Sequence, residues 1–267
     1  MTERRKVVVR RKPAQIVSQE LDQPKPKKTI STKELYKEFN DLLTSIRYGE
    51  RAYNLFYDFV TLSSCTLRNS VKGIRPHLFS QEVEEEYFRI QKKYSNDEML
   101  KFAHLLGILI QLLESHEMPY DVLGYMYMTY GYGNGHLGQF FTPPELSDLM
   151  ADITIDVKSA VESQGYFTAT DPACGSGTMM LSCVKKVILA GYNPLYTVYI
   201  EAVDLDSLVA RMCYVQLSLW GVPAKVRIGN SLTQEFSTDM YTTAYYLGNW
   251  DYKPKRDNHN VQAESTV

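Results

Sequence analysis

Several features that define other protein classes are absent from this sequence. No run approaches the roughly 20 consecutive apolar residues that a membrane-spanning helix requires, so we expect no contact with a membrane. The charged N-terminus lacks the apolar segment of a secretion signal, which predicts a cytoplasmic protein. The 4 cysteines form no Cys-x-x-Cys pair and have no histidine cluster near them. We therefore expect reduced thiols and no metal site.

Positive charge is concentrated at the N-terminus, although the whole chain has 29 basic and 31 acidic residues. Residues 1–28 contain nine basic and three acidic residues, interrupted by three prolines. This composition predicts a disordered basic tail over residues 1–30. Such a tail can bind DNA phosphates without reading sequence, or it can serve solubility alone. The composition leaves both interpretations open.

Residues 31–118 have the apolar periodicity of helices. One predicted helix, over residues 52–71, has four apolar side chains on a single face: Leu55, Phe56, Phe59 and Val60. Ser80 and Asn96 are candidate N-caps for two further helices. Nothing in this segment indicates chemistry, so we expect a helical packing or docking region.

Residues 121–132 are dense in tyrosine and methionine. A row of tyrosines can stack on nucleic-acid bases. An amphipathic helix, in contrast, packs such rings on a core and leaves their hydroxyls at the surface. The second interpretation is favoured here. Gly131, Gly133 and Gly135 follow and predict a flexible hinge.

The stretch Asp171-Pro172-Ala173-Cys174-Gly175-Ser176-Gly177 predicts a tight turn from a buried strand into a helix. A β-rich run precedes it, and apolar residues at helical spacing follow it. Its two glycines allow the backbone to approach a ligand where a Cβ would collide. Asp171 can accept hydrogen bonds from a ligand ammonium group.

Two other glycine-rich loops are excluded by the residues that they require. A dinucleotide-binding loop needs a third glycine where this chain has Met180. A Walker A loop needs a lysine directly after its last glycine, whereas the first lysine after Gly177 is Lys185.

A second motif, Gly138-Gln139-Phe140-Phe141-Thr142-Pro143-Pro144-Glu145, lies upstream. Thr142 and Glu145 have the spacing of a capping box, with Pro143 in the first turn of the predicted helix. In order and spacing the two motifs resemble those of adenine-N6 DNA methyltransferases, in particular type I modification subunits. The resemblance implies a site for S-adenosylmethionine formed by Gln139, Phe140, Phe141, Thr142 and Pro143, together with Asp171, Pro172, Ala173, Gly175 and Gly177.

The next two predicted strands end in polar side chains. Asp204 ends a β-rich run over residues 195–203, where doubly wound folds hold the two hydroxyls of a ribose. Asp206 is the expected N-cap of the following helix. The third strand, over residues 224–228, leads to Asn230, where the family usually has aspartate. The resemblance implies that Asn230 accepts a hydrogen bond from the adenine amino group of the cofactor.

The resemblance weakens at the catalytic tetrad. Adenine-N6 methyltransferases have Asn/Asp-Pro-Pro-Tyr/Phe after their fourth strand, where acceptor oxygens activate the exocyclic amine and the ring stacks on the flipped base. Here Asn249-Trp250-Asp251-Tyr252 follows residues 243–248, which we expect to be that strand. The resemblance implies that Asn249 accepts from the target base and Tyr252 stacks on it. The prolines that would fix the backbone are absent.

These observations predict an α/β protein. A helical N-terminal region, residues 31–118, is followed over residues 119–253 by a truncated Rossmann-like S-adenosylmethionine-dependent methyltransferase sheet and then by a polar tail, residues 254–267. Only four strands can be placed, and we expect the N-terminal helices or a partner to cover the open sheet edge.

The leading hypothesis for function is an S-adenosyl-L-methionine-dependent DNA methyltransferase acting on adenine N6. The chain is similar in size to methylase-like proteins of phages and mobile elements. Its expected partners are DNA and a specificity or other methylase subunit. Two alternatives remain: a catalytically inactive cofactor-binding protein that docks on restriction–modification or replication machinery, and a methyltransferase of RNA or protein.

Overall fold

The computed structural model of the chain describes residues 30–132 and 141–253. The first part is helical, and the predicted face of its second helix is buried. Two short 3₁₀ helices, Val71–Gly73 and Pro76–Leu78, follow that helix. The α-helices are α1 (Thr32–Thr44), α2 (Ala52–Ser70), α3 (Gln81–Gln91), α4 (Asn96–Glu114) and α5 (Val122–Thr129).

Of the two caps predicted in the helical part, Ser80 and Asn96, one is confirmed. The Ser80 hydroxyl accepts a hydrogen bond from the backbone N–H of Val83 and caps α3. At α4 the prediction of Asn96 is wrong, because Ser95 is the N-cap and forms a capping box with Glu98. That pair satisfies two N–H groups reciprocally, which makes Asn96 the first residue inside the helix.

The second part is an α/β unit with a four-stranded sheet. The strands lie in the order β1-β2-β3-β4, where β1, β2 and β3 are parallel and β4 is antiparallel to β3. This arrangement confirms the predicted α/β fold with a truncated Rossmann-like sheet. The elements are α6 (Pro144–Thr154), α7 (Val157–Gln164), β1 (Phe167–Asp171), α8 (Thr178–Leu189), α9 (Pro194–Thr197), β2 (Val198–Asp204), α10 (Ser207–Leu219), β3 (Ala224–Asn230), β4 (Glu235–Tyr241) and α11 (Thr243–Leu247).

The prediction that residues 243–248 form the fourth strand is wrong. These residues form α11, whose N-cap Thr242 accepts a hydrogen bond from Tyr245 N. The Thr242 hydroxyl also donates to the carbonyl of Val222 at 2.7 Å, which fixes the start of the helix beside β3. The fourth strand is β4, and it folds back along β3 instead of extending the sheet beyond β1.

The two faces of the sheet differ in chemistry. Side chains on the face covered by α8 and α10 are apolar and buried: Val198, Ile200, Ala202, Ala224, Val226 and Ile228. The opposite face carries Thr168, Thr170, Tyr199, Glu201, Lys225 and Arg227. There the Tyr199 hydroxyl donates to Glu201 at 2.8 Å, and Lys225 Nζ lies 2.8 Å from Asp239. Parallel sheets are usually apolar on both faces, whereas this second face is mostly polar and is buried only in part, at Val203 and Lys225.

The two edges of the sheet differ as well. On the β4 side, Arg68 of α2 donates to the carbonyl of Asp239 at 3.3 Å, and the hydroxyls of Ser70 and Thr243 are 3.1 Å apart. The last turn of α2 therefore contacts that edge at one backbone carbonyl. On the β1 side, no strand among residues 30–132 and 141–253 pairs with the outer edge.

The described residues from Thr32 onward pack as one unit. Arg211 of α10 joins the helical part to the sheet, since it donates to the Ser64 hydroxyl at 2.8 Å and to both carboxylate oxygens of Glu86. The four cysteines are buried and free, as expected. In the part of the chain that the structure describes, no helix has both the length and the apolar character to span a bilayer.

Candidate functional site

The loop between β1 and α8 has a backbone geometry that depends on its glycines. Gly175 and Gly177 have φ values of 54° and 97°, which L side chains rarely adopt. A Cβ on Gly177 would lie 2.8 Å from Cys213 Sγ. Position 177 therefore requires glycine for both conformation and space.

Asp204 lies at the carboxyl end of β2, next to this glycine loop. Its Oδ2 accepts from Gly175 N at 2.8 Å, and its Oδ1 accepts from Asp206 N at 2.9 Å. A carboxylate has about four acceptor positions, so two remain for ligand hydroxyls. Burial raises the pKa of the Asp204 carboxyl, and the two backbone hydrogen bonds oppose that shift. The side chain is anchored and still able to hold a diol.

Asp206 is the N-cap of α10, and this prediction is confirmed. Its Oδ1 accepts from Leu208 N at 2.8 Å. Asp204, two residues earlier, is the last residue of β2, the position at which the sequence predicts the ribose contact.

The first residues of the glycine loop are open to solvent. Pro172 and Ala173 are exposed, and Asp171 Oδ1 accepts from Ala173 N at 3.0 Å. Asp171 is paired with Ala202 in the parallel ladder, so it lies at the same end of the sheet as Asp204. Two carboxylates at one edge favour a ligand that carries positive charge.

Asn230 ends β3, and its side chain is engaged in its own turn. Its Oδ1 accepts from Leu232 N at 2.9 Å and from Thr233 N at 3.3 Å. Both lone pairs of that oxygen are thus used. The other polar group of the Asn230 side chain is its NH₂, a donor.

Two exposed leucines, which were not among the residues predicted from sequence, flank the same end of the sheet. Leu205 directly follows Asp204 and is 74% exposed, and Leu232 follows Asn230 in the β3–β4 turn and is 92% exposed. Apolar side chains at the ends of two adjacent strands provide a surface for an aromatic ring. The available signal was an apolar residue just after each polar strand end.

The upstream motif is described from Phe141 onward, and Gln139 and Phe140 lie outside the described residues. The Phe141 ring lies 5.2 Å from the Tyr127 ring, centroid to centroid. A Cβ on Gly175 would lie 3.3 Å from the same ring. Phe141 therefore packs between α5 and the glycine loop.

The predicted capping box of this motif is wrong. The N-cap of α6 is Pro143, no side chain caps the helix, and Pro144 is its first residue. The helix thus begins one position later than expected, because Pro144 takes the first helical position that suits proline. Thr142 and Glu145 no longer have capping-box spacing.

A buried acid, which was not among the site residues predicted from sequence, lies beneath the glycine loop. Asp121 is 4% exposed. Its Oδ2 accepts from the hydroxyls of Ser176 and Thr178, both at 2.5 Å. These residues flank Gly177, so Asp121 holds the loop from the protein interior. The available signal was an aspartate directly before a helix, since Asp121 also caps α5.

Asn249 and Tyr252 lie at the opposite end of the sheet from the glycine loop. Trp250, between them, stacks on Tyr199 near the start of β2 with ring centroids 5.7 Å apart. Asp204 is at the far end of the same strand, and a strand of this length spans on the order of 20 Å. Because α11 has replaced the expected parallel strand, the structure does not bring Asn249 and Tyr252 to the predicted site.

The residues around Trp250 form a turn. Asn249 has a φ of 54°, which asparagine adopts more readily than most residues. Tyr252 is 77% exposed, and the Arg75 guanidinium lies 5.5 Å from its ring centroid. Arg75 also forms an ion pair with Asp251. These contacts hold a chain reversal against the helical part of the protein.

The arrangement at the carboxyl end of the strands defines a class of protein. A left-handed glycine loop follows β1, an anchored acid ends β2, and an apolar flank follows β3. Over residues 30–132 and 141–253 no cluster of three or more His, Cys, Asp or Glu side chains could hold a metal ion. The class is that of Rossmann-like S-adenosylmethionine-dependent methyltransferase folds.

Within that class, the chain belongs to the N-6 DNA methylase family, whose model matches residues 119–266. It is 31% identical over 144 residues to the type I restriction enzyme MjaVIII methylase subunit of Methanocaldococcus jannaschii. It is 30% identical over 112 residues to the MjaIX methylase subunit of the same organism. These alignments cover 52% and 42% of this chain but 23% and 18% of the relatives. The chain thus matches less than a quarter of their length.

Two solved structures are similar to the chain at low identity. A class I S-adenosylmethionine-dependent methyltransferase of Listeria monocytogenes has 16% identity and a TM-score of 0.34, covering 75% of this chain and 54% of that one. The methyltransferase subunit of a type I restriction-modification system of Streptococcus thermophilus has 14% identity and a TM-score of 0.37, covering 73% and 57%.

Proposed function

We propose that this chain binds S-adenosyl-L-methionine at the carboxyl end of its sheet and takes part in methylation of adenine N6 in DNA. The observation that carries the proposal is the glycine loop beside the anchored carboxylate of Asp204. Family membership supports DNA as the substrate. The names of the two curated relatives support a type I modification role.

The charges at this edge fit the proposed cofactor. S-adenosylmethionine carries an ammonium group and a sulfonium centre, and the edge presents the carboxylates of Asp171 and Asp204. Asp171 would accept from the ammonium group. The two unused acceptor positions of Asp204 would take the ribose hydroxyls. Gly175 and Gly177 would leave room for the amino-acid end of the ligand to approach the backbone.

The remaining contacts follow from position. Leu205 and Leu232 would flank the purine ring, and the Asn230 NH₂ would donate to one of its ring nitrogens. Phe141, Thr142 and Pro143 would cover the methionine end from the start of α6, with Pro172 and Ala173 bordering the site. We assign the same covering role to Gln139 and Phe140, which lie outside the described residues.

The bound cofactor would supply an electrophilic methyl group. The target amine needs acceptor oxygens that make it more nucleophilic, and Asn249 lies too far away to provide one. We therefore propose that a specificity or other methylase subunit contributes to recognition and activation of the target base on DNA. The complex would act in the cytoplasm.

Calorimetry and base-modification sequencing test the proposal. Wild-type and Asp204→Asn proteins are titrated with S-adenosylmethionine. DNA is then sequenced from methylation-deficient cells that express each protein with and without a type I specificity subunit. We expect the wild type to bind S-adenosylmethionine and Asp204→Asn to bind it at least tenfold more weakly, a loss of about 1.4 kcal/mol in binding free energy. In the sequencing experiment we expect N6-methyladenine only in cells that express the wild-type protein.

Each other outcome changes the conclusion. Binding without methylation in either cell type would indicate a non-catalytic cofactor-binding protein that docks on restriction–modification machinery. Absence of binding by the folded wild type would reject the proposed function.

A further inference from the structure

The Asp121 carboxylate is buried among neutral donors. Its Oδ2 accepts from Ser176 Oγ and Thr178 Oγ1, both at 2.5 Å, and its Oδ1 accepts from Gly124 N at 2.8 Å. The Gln216 side-chain amide is a fourth donor, to Oδ1, also at 2.8 Å. Each oxygen thus receives two hydrogen bonds, which uses the acceptor capacity of the group.

Gln216 links this acid to the backbone of the glycine loop. It is fully buried on α10, and its amide also donates to the Ser176 carbonyl at 2.9 Å. Its Oε1 accepts from Leu123 N at 3.0 Å. The Asp121–Gln216 pair therefore joins α5, α10 and the glycine loop through buried hydrogen bonds. In a low-dielectric interior such a network resists rearrangement.

The sequence of α5 is adapted to this arrangement. A Cβ on Gly124 would lie 2.1 Å from Asp121 Oδ2 and 2.6 Å from Oδ1. Any side chain at position 124 would displace the carboxylate from its donors. Glycine inside a helix lowers its stability, but at position 124 it leaves the space that the Asp121 carboxylate occupies.

We propose that Asp121 and Gln216 are positioning residues for the S-adenosylmethionine loop. They hold Ser176 and Thr178 on either side of Gly177 from the interior, and so fix the backbone face that the cofactor approaches. They do not contact the cofactor themselves. This inference rests on the proposed function, because it concerns the same loop.

The test compares Asp121→Asn with Asp58→Asn. Asp58 is equally buried, at 6% against 4% exposed, and its carboxylate accepts from Lys93 Nζ and Tyr94 Oη in the helical part. Thermal stability and the Kd for S-adenosylmethionine are measured below the unfolding transition. We expect both variants to lower the Tm, but only Asp121→Asn to raise the Kd, by at least tenfold.

Coupling provides a readout that a general loss of stability would not produce. Ser176→Ala and Thr178→Val each remove one donor to Asp121, and we expect each to raise the Kd several-fold. In the Asp121→Asn background Ser176→Ala should add little, since the two changes break the same contact. If Asp121→Asn does not fold, the two donor variants in the wild-type background decide the question.

The contrary outcomes are distinct. A Kd within twofold of wild type in Asp121→Asn, or in both donor variants, would reject the positioning role and leave the proposed function intact. A folded wild type that does not bind S-adenosylmethionine would reject the proposed function itself.

Discussion

The two ends of the sheet both carry residues that the sequence assigns to the site, but they differ in how the structure uses them. At the carboxyl end, Asp171 ends β1 and Asp204 ends β2, next to a left-handed glycine loop. At the amino end, Asn249 and Tyr252 border a turn that is packed on the start of β2. Asn249 and Tyr252 have the spacing of a catalytic tetrad, but a helix and not a strand precedes them, and they lie away from the glycine loop.

At the amino end of the sheet, the residues around Trp250 are engaged in packing contacts. Trp250 donates from Nε1 to the carbonyl of Leu195 at 2.8 Å and is 3% exposed. The ammonium of Lys253 lies 3.5 Å from the centroid of its ring. A Cβ on Gly248 would lie 2.4 Å from the Leu195 carbonyl oxygen. This end therefore closes the fold, whereas the carboxyl end stays open to a ligand.

A matched pair of glycine variants should give the largest difference between the two ends. Gly177→Ala forces a side chain into a left-handed backbone, at a cost of about 1–2 kcal/mol, and against Cys213. We expect S-adenosylmethionine binding to be lost. Gly248→Ala creates overpacking against Leu195 and Trp250, which should destabilise the protein by about 1–3 kcal/mol without changing the affinity of the folded protein. Calorimetry and thermal unfolding measure both effects.

Equal losses of affinity in these two variants would contradict the separation of the two ends. A Gly177→Ala protein that is folded and binds normally would contradict the position of the site.

The pH dependence of binding should be an intermediate effect, confined to the carboxyl end. Burial raises the pKa of Asp204, so its carboxylate is lost at a higher pH than in an ordinary aspartate. Affinity for S-adenosylmethionine should fall as the pH decreases through that pKa, because a protonated carboxyl loses acceptor positions. The free energy of unfolding should respond to pH in the opposite direction. The Asp204 contribution to stability increases as the pH decreases, because protonation removes the cost of burying its charge. Titration calorimetry at neutral and acidic pH measures the binding effect.

The control for this prediction is Asp204→Asn, which should bind weakly with a much flatter pH dependence. The same slope in wild type and variant would assign the titration to another group.

The smallest effect is expected at Asn249. Asn249→Gly removes the side chain but keeps a residue that adopts positive φ, so we expect unchanged stability, cofactor affinity and methylation. Asn249→Ala should instead lose about 1–2 kcal/mol of stability, because alanine is strained in that conformation. Thermal unfolding and N6-methyladenine sequencing measure both. A slower methyl transfer in Asn249→Gly at unchanged affinity would return Asn249 to the chemistry.

Local features were predictable where the interaction spans few residues. The cap at Asp206, the turn after Asp171 and the strand end at Asp204 each depend on neighbouring backbone. Their residue types therefore indicate their geometry. Ser80 was predictable for the same reason.

Features that depend on distant contacts were not predictable. Residues 243–248 have the composition of a strand. The Thr242 hydroxyl, however, donates a hydrogen bond to the Val222 carbonyl, and a helix begins after Thr242. The contact between Asp121 and Ser176 joins residues 55 positions apart. No periodicity in the sequence identifies such a pair. The choice of Ser95 over Asn96 and the start of α6 at Pro144 differ from expectation by one residue, within the usual uncertainty of helix ends.

The polar face of the sheet has a consequence for the temperature dependence of stability. Heat capacity rises on unfolding chiefly because apolar surface becomes hydrated, typically by about 12–15 cal/mol/K per residue. Here one face of the sheet carries Thr168, Thr170 and Glu201, and Thr168 and Thr170 are exposed. Part of this face is therefore already hydrated in the folded protein. Unfolding this sheet therefore exposes less new apolar surface than unfolding one buried on both faces. The stability curve should accordingly be flatter, with a free energy of unfolding that changes slowly on cooling or warming from its maximum.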